Sequence, residues 1–224
     1  MKKIISLFLI ITIIFAFSAC SAGGNEETTV PETSENATAD TTAAVTQANA
    51  EKKILTIYFS SANTVDATSS ATPYFDGVAS TQYLAEYIHG KVGGDIAKIT
   101  PVKDYPEGYN ETADAAKVET DNDARPEFQA LDINPEDYDI IFVGYPMWWY
   151  TLPMVMYTFF DAYDFSGKTI IPFNTHAGSG DGVTYSEIKE FEPNATVLDG
   201  LAVSGSRADK ADGDIDEWLE GLNY

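Results

Sequence analysis

Five short runs of apolar, β-prone residues recur along this chain, and stretches with helical spacing fall between them. This alternation constrains the fold more than any other feature, because it specifies a doubly wound α/β parallel sheet with helices on both faces. The first run, 54–59 (ILTIYF), is almost uniformly apolar, as a strand covered on both faces must be. Residues 83–88 follow with Leu84, Tyr87 and Ile88 on one helical face, and Gly93-Gly94 stops that helix. Residues 95–99 read as a second strand at a sheet edge, where Asp95 and Lys98 can reach water.

The polar, Ala-rich stretch 110–120 reads as a helix capped by Asn110, and 139–144 as the third strand. Pro153 is expected just inside the next helix, which turns Val155, Met156, Phe159 and Phe160 towards the sheet. Residues 168–173 form the fourth strand. The spacing of Thr184 and Glu187 marks a capping box for a helix reaching Phe191. Residues 195–203 supply the fifth strand, and 212–222 a last helix with Ile215, Trp218, Leu219 and Leu222 inward.

Composition narrows the function. Hydrophobic residues make up 44%, enough for a core. With 35 acidic and 13 basic side chains, the net charge is 13 − 35 = −22, which repels phosphate backbones and argues against nucleic acid. A lone cysteine, Cys20, rules out an intrachain disulfide and a cysteine-clustered metal site, and two histidines cannot build a three-histidine one.

The N-terminus has its own pattern. Lys2-Lys3 precedes an apolar run to Phe17, which ends in Phe17-Ser18-Ala19-Cys20. This resembles a bacterial lipoprotein signal, although Phe17 departs from the usual Leu, Val or Ile; the resemblance implies removal of 1–19 and a lipid on Cys20. Residues 20–51 have no aromatic residue and few large aliphatics, so they read as a disordered tether ahead of a domain at 52–224. The chain is thus expected to be extracytoplasmic and membrane-anchored through Cys20.

In a doubly wound sheet, ligands bind beyond the carboxyl ends of the strands. Three loops there stand out. The first strand runs into Ser60-Ser61-Ala62-Asn63-Thr64, with neither a dinucleotide nor a nucleotide glycine fingerprint. The third runs into Tyr145-Pro146-Met147-Trp148-Trp149-Tyr150, where four aromatics in six positions offer one indole for the core and another as a stacking wall. The fourth runs into Asn174-Thr175-His176-Ala177-Gly178-Ser179-Gly180, whose glycines admit a ligand edge close to the backbone.

The order of ILTIYFS (54–60), TQYLAEYI (81–88), GGDIAKITPVKDYPEGY (93–109), ARPEF (124–128), YDIIFVGYPMWW (138–149), DFSGKTIIPFNTHAGSG (164–180) and DGLAVSG (199–205) resembles the bacterial flavodoxin-like, FMN-binding family. The resemblance implies strand order 2-1-3-4-5 and one non-covalent FMN. Its phosphate would sit on the first loop and its ring between the other two. Carried over by position, Trp148 lies against the ring, with Trp149 beside it, and Pro146 and Met147 supply backbone at the ring edge. Thr175, His176, Ala177, Gly178 and Ser179 run along the other side.

The first loop departs from the family. Residues 65–75 are Ser/Thr-rich, contain Pro73 and cannot continue a helix from Thr64, whereas a helix can follow Thr81. The phosphate loop is therefore assigned to Ser60, Ser61, Ala79, Ser80 and Thr81, with 62–78 an inserted excursion of a kind some relatives carry. Ala79 then replaces the family's glycine, and its methyl opposes a positive φ. The resemblance allows an electron carrier, and the acidic charge favours one that docks a redox partner protein with a basic face. The alternatives are an NAD(P)H-dependent quinone or nitro reductase and a degenerate flavodoxin-like module without flavin.

Overall fold

A computed structural model describes residues 52–61, the backbone of 73–75, and residues 78–224. The expected signal peptide, the tether, and Asn63-Thr64 lie outside the described residues. The main sheet contains β1 (Ile54–Phe59), β4 (Asp95–Ile99), β5 (Ile140–Pro146), β6 (Thr169–His176), β7 (Thr196–Val197) and β8 (Leu201–Ser204). Its order is β4-β1-β5-β6-β7, with β8 also on β6, and every pairing is parallel. Within the inserted region, β2 (Pro73–Phe75) and β3 (Val78–Ala79) pair antiparallel as a separate ribbon.

The helices α1 (Ser80–Val92), α2 (Tyr109–Asp121), α3 (Met154–Ala162), α4 (Thr184–Phe191) and α5 (Asp212–Gly221) cover the two faces of the sheet. Strand periodicity does the sorting. Leu55, Ile57 and Phe59 join Ile141, Val143 and Tyr145 under α2, α3 and α4, with Val155, Met156, Phe159 and Phe160 packed against them. Tyr58, Ile140, Phe142, Ile171 and Phe173 face the other way, towards Leu84, Ala85 and Ile88 of α1 and Ile215 of α5. Trp218, Leu219 and Leu222 pack on this second cluster as expected.

The expected five-stranded order holds for the first four strands, but the fifth is broken into two. Ile170 pairs with Val197 and Phe173 with Leu201, so two residues of β6 face three across the gap. Pro172 stands in that gap without an N–H to donate, and a Cβ on Gly200 would lie 2.5 Å from the Pro172 carbonyl oxygen. The missing donor and the close approach together explain the break.

Several boundaries also differ. α2 begins at Tyr109 behind Gly108, which has φ +96°, so Asn110 is inside the helix and caps nothing. Thr112 ties this entry turn down by donating to the Pro106 carbonyl at 2.8 Å. Pro153 is extended at ψ 139° and caps α3 from outside. Thr184 is the first residue of α4 behind Val183, and its hydroxyl donates to the Asp181 carbonyl at 2.8 Å, so no capping box forms. Conversely, Gly93 ends α1 at φ +72°, and β4 is an edge strand, both as the sequence predicts.

Candidate functional site

The carboxyl ends of β1, β5 and β6 meet on one side of the sheet, as parallel pairing requires. β1 delivers Ser60 and Ser61, both buried, and the Ser60 hydroxyl has no hydrogen-bond partner among the described residues. A buried hydroxyl left unpaired is costly, and such groups gather where a ligand completes them. α1 starts beside this strand end at Ser80, which is where the sequence places the helix after the insertion. Among the described residues no side chain caps α1, and no acidic residue occupies its first turn, so its N–H groups and positive dipole end suit an anion.

Ala79 has φ −73° and ψ 149°, an ordinary extended conformation. The expected conflict between its methyl and a glycine-like φ is absent, because α1 enters from an extended residue and not from a left-handed turn. Ser80 donates to the Gly205 carbonyl at 3.1 Å. Thr81 and Thr175, 94 positions apart, hold their hydroxyls 2.7 Å from each other, fully buried. These two predicted site residues are brought together, but as a tie between α1 and β6.

Both later loops begin further along than the sequence suggests. β5 continues through Pro146 and β6 through His176, because Pro146 pairs with Thr175 and β8 extends the ladder along 173–176. Tyr145, Pro146, Asn174, Thr175 and His176 are therefore strand residues. The Met147 amide donates to the Thr175 carbonyl at 2.7 Å, and beyond it the chain reverses at once.

That reversal is a two-residue turn. Trp148 and Thr151 exchange backbone hydrogen bonds at 3.2 and 3.0 Å, leaving Trp149 and Tyr150 at the centre with φ +50° and +66°. Two consecutive positive φ values define a type I′ turn, which usually takes Asn-Gly. Two large aromatics there are strained, by roughly 1–3 kcal/mol each, and such strain collects at functional sites. The surroundings hold the turn in place. Thr151 donates to Glu187 of α4 at 2.7 Å, and the Tyr157 hydroxyl of α3 reaches the same carboxylate oxygen at 3.0 Å.

The two indoles both border the cleft but differ in burial. Trp148 is only 9% exposed and meets Phe59 and Tyr105 edge-on, at ring-centroid distances of 5.3 and 4.8 Å. It is the ring that fills the core beneath the turn. Trp149 is 46% exposed, donates from Nε1 to the Ala113 carbonyl of α2 at 2.8 Å, and carries the Lys117 ammonium over its ring. Trp149 is the outer of the two rings, because the left-handed turn throws residue 149 outward while residue 148 still belongs to the ladder.

A cleft of about 420 Å³ opens between this turn, the start of α2 and the loop after β6. Met147, Trp148, Trp149, Ala177, Gly178 and Ser179, all expected at a ligand from the sequence, line it. Ser60, Ser61, Ala79, Ser80, Thr81, Pro146, Thr175 and His176 are outside its lining. The wall from Tyr109, Thr112, Ala113 and Ala116 escaped sequence reasoning. Small residues at 112, 113 and 116 share a helix face and leave room for a ligand, but the stretch carries no motif and looks like any solvated helix.

The loop after β6 is clamped from the strand. Asn174, fully buried, donates from Nδ2 to the Gly180 carbonyl at 3.0 Å and accepts from the Tyr185 hydroxyl at 2.7 Å. The Tyr145 hydroxyl donates to Thr184 at 2.8 Å, with burial pushing its ionisation far above the usual phenol range. The Gly178 amide donates to Nδ1 of His176 at 2.9 Å. Burial lowers the His176 proton affinity, which Asp181 partly restores. Among the described residues, no group of three or more His, Cys, Asp or Glu is placed to hold a metal ion.

A family model for flavodoxin matches residues 53–222, nearly the whole described region. The chain belongs to the flavodoxin family. Among solved structures, this flavodoxin is 25% identical to a protein assigned as a flavoprotein of Bacteroides uniformis, over 75% of this chain and 98% of that one, with a TM-score of 0.60. A protein with the same assignment from Bacteroides eggerthii is 29% identical, over 75% and 96% of the two chains, with a TM-score of 0.59. A Lactobacillus acidophilus flavoprotein, crystallised in complex with FMN, is 23% identical over 71% and 97%, with a TM-score of 0.51. A search of curated protein sequences matches none of them. In this flavodoxin the three strand ends, the cleft and the free end of α1 fall on one side of the sheet, where the fold class places its ligands.

Proposed function

We propose that this flavodoxin binds FMN and carries electrons, held outside the cytoplasmic membrane by a lipid on Cys20. The observation that carries the reading is the aromatic-rimmed cleft at the carboxyl ends of β5 and β6, at the same end of the sheet as the N-terminus of α1 and the buried Ser60 hydroxyl, neither of which is satisfied by a side chain among the described residues. These residues fit the two halves of FMN. The start of α1, with Ser60 and Ser61, would hold the phosphate, while the 147–150 turn and the 177–179 loop would flank the ring. Bound there, the flavin supplies the redox chemistry. The chain's own residues bind, orient and exclude water. Burial lowers the His176 proton affinity, so it is neutral at pH 7 and acts as a hydrogen-bond partner of the loop.

Carriage of electrons to a protein is favoured over reduction by NADPH. The net charge of −22 suits a partner with a basic docking face. Arg125, one of two arginines that could receive a 2′-phosphate, is tied to Asp161 at 2.7 Å and Asp123 at 2.6 Å and lies over the Tyr157 ring.

The binding test is a titration of the chain with FMN, followed by flavin fluorescence, and absence of saturable quenching sinks the reading. The loaded chain is then given NADH or NADPH without air. Persistence of the flavin colour, with ready reduction by dithionite, is expected of a carrier. Rapid, saturable bleaching by either nucleotide makes the protein a reductase instead. For the anchor, Cys20→Ser is expected to release the chain from membranes. Retention of the C20S protein at mature length in the membrane fraction overturns the lipid.

A further inference from the structure

Residues 177–179 form one wall of the cleft, and two side chains of the strand before them hold the 177–180 loop. Asn174 grips the Gly180 carbonyl through an amide that does not titrate. His176 grips the Gly178 amide through Nδ1, which can accept only while it carries no proton. Gly178 sits at φ +119°, so the loop enters a conformation open to few residues, and the imidazole is the group that satisfies its N–H.

We propose that His176 is a positioning residue whose neutral imidazole locks the 177–180 loop in its ligand-receiving shape, and whose protonation releases that loop. The effect on FMN rests on the flavin reading above; the lock itself does not. When Nδ1 gains a proton, two N–H groups face each other and the Gly178 amide loses its acceptor. The Asn174 clamp remains, so the loop is loosened at its centre and held at its far end.

The surroundings set the pH at which this happens. His176 is bordered by Thr175 on its own strand and Ser204 on β8, with Pro146 of β5 and Thr81 of α1 against Thr175. None of these is charged. The turn after β8 carries Arg207, Asp209 and Lys210 in sequence, and the loop itself carries Asp181. Of these, Asp181 acts on the imidazole and raises its proton affinity, while burial lowers it more, so the net shift is below the ordinary value of 6.5. With the neutral form favoured, the lock is present at pH 7 and is lost as the pH falls through the histidine's titration.

The test separates the lock from the ligand. In the full chain without flavin, hydrogen exchange at the Gly178 amide is compared between pH 8 and pH 5 after correction for intrinsic exchange. Wild-type protection should fall with the imidazole titration. His176→Asn places a non-titrating oxygen near the position of Nδ1, and should keep the protection throughout. His176→Leu should lack it at every pH, and Asp181→Asn should move the wild-type midpoint to lower pH. FMN titrations should follow the same order: wild-type affinity falls by up to about tenfold per pH unit below the midpoint, while H176N is flat. Protection that is independent of pH in the wild type, or equal in H176L and wild type, overturns the proposal. A lock that titrates as described in a chain that binds no FMN at any pH sinks the flavin reading alone.

Discussion

Trp148 and Trp149 are chemically identical neighbours, and only backbone direction separates their fates. Trp148 ends the ladder and is sealed by Phe59 and Tyr105, whereas Trp149 swings out across the cleft to α2. Trp148→Ala should therefore remove a core ring and cost about 3–5 kcal/mol of stability, seen as a clear drop in thermal midpoint. Trp149→Ala should leave the midpoint nearly unchanged and weaken FMN by roughly tenfold, the value of one stacking contact at about 1–1.5 kcal/mol. Paired melts and FMN titrations of the two variants check this, and a stable W148A protein with lost affinity would reverse the assignment. Gly144 is fixed by the same kind of local geometry. A Cβ there would stand 2.2 Å from the Phe173 ring, so Gly144→Ala should force a core shift and destabilise by about 1–3 kcal/mol.

Among the elements, the 148–151 turn stores the most conformational strain, since both of its central residues are non-glycine at positive φ. The double substitution Trp149→Asn with Tyr150→Gly supplies the side chains that a type I′ turn prefers. It should raise stability by about 1–2 kcal/mol while removing two rings from the cleft rim, so the melt rises and FMN affinity falls. A variant that loses both would mean that the rings themselves support the fold. The strained turn persists because α3 and α4 both reach it through Thr151, Tyr157 and Glu187. The broken fifth strand follows similar logic at smaller scale: Pro172 withholds one donor and the ladder resumes at Phe173.

Across the whole molecule, charge is the dominant global property. At −22 the chain repels itself, and moderate salt should raise its melting temperature by screening that repulsion. Glu192 reports the same field locally, since burial and the nearby Asp164 and Asp161 carboxylates push its pKa up to about 7. A raised carboxyl binds a proton more tightly folded than unfolded, so its stabilising contribution is full below pH 4.5 and lost as the pH rises towards 7. The Glu192 contribution should accordingly grow between pH 8 and pH 5, and melts of Glu192→Gln across that range should lose it relative to wild type. The sequence by itself determined the layered α/β sheet, the edge position of 95–99 and the start of α1 near Ser80. Those follow from periodicity and from breakers such as Gly93 and Pro73, which act within a few neighbours. It also marked the 147–149 and 177–179 segments, because aromatics and glycines beyond buried strands are conspicuous. Only the tertiary structure decided which indole is core, that Ala79 needs no glycine conformation, that Thr81 pairs with Thr175, and that α2 forms a wall of the cleft. Each of these depends on partners tens of residues away, whose approach is set by packing of the whole sheet and leaves no local pattern in the chain.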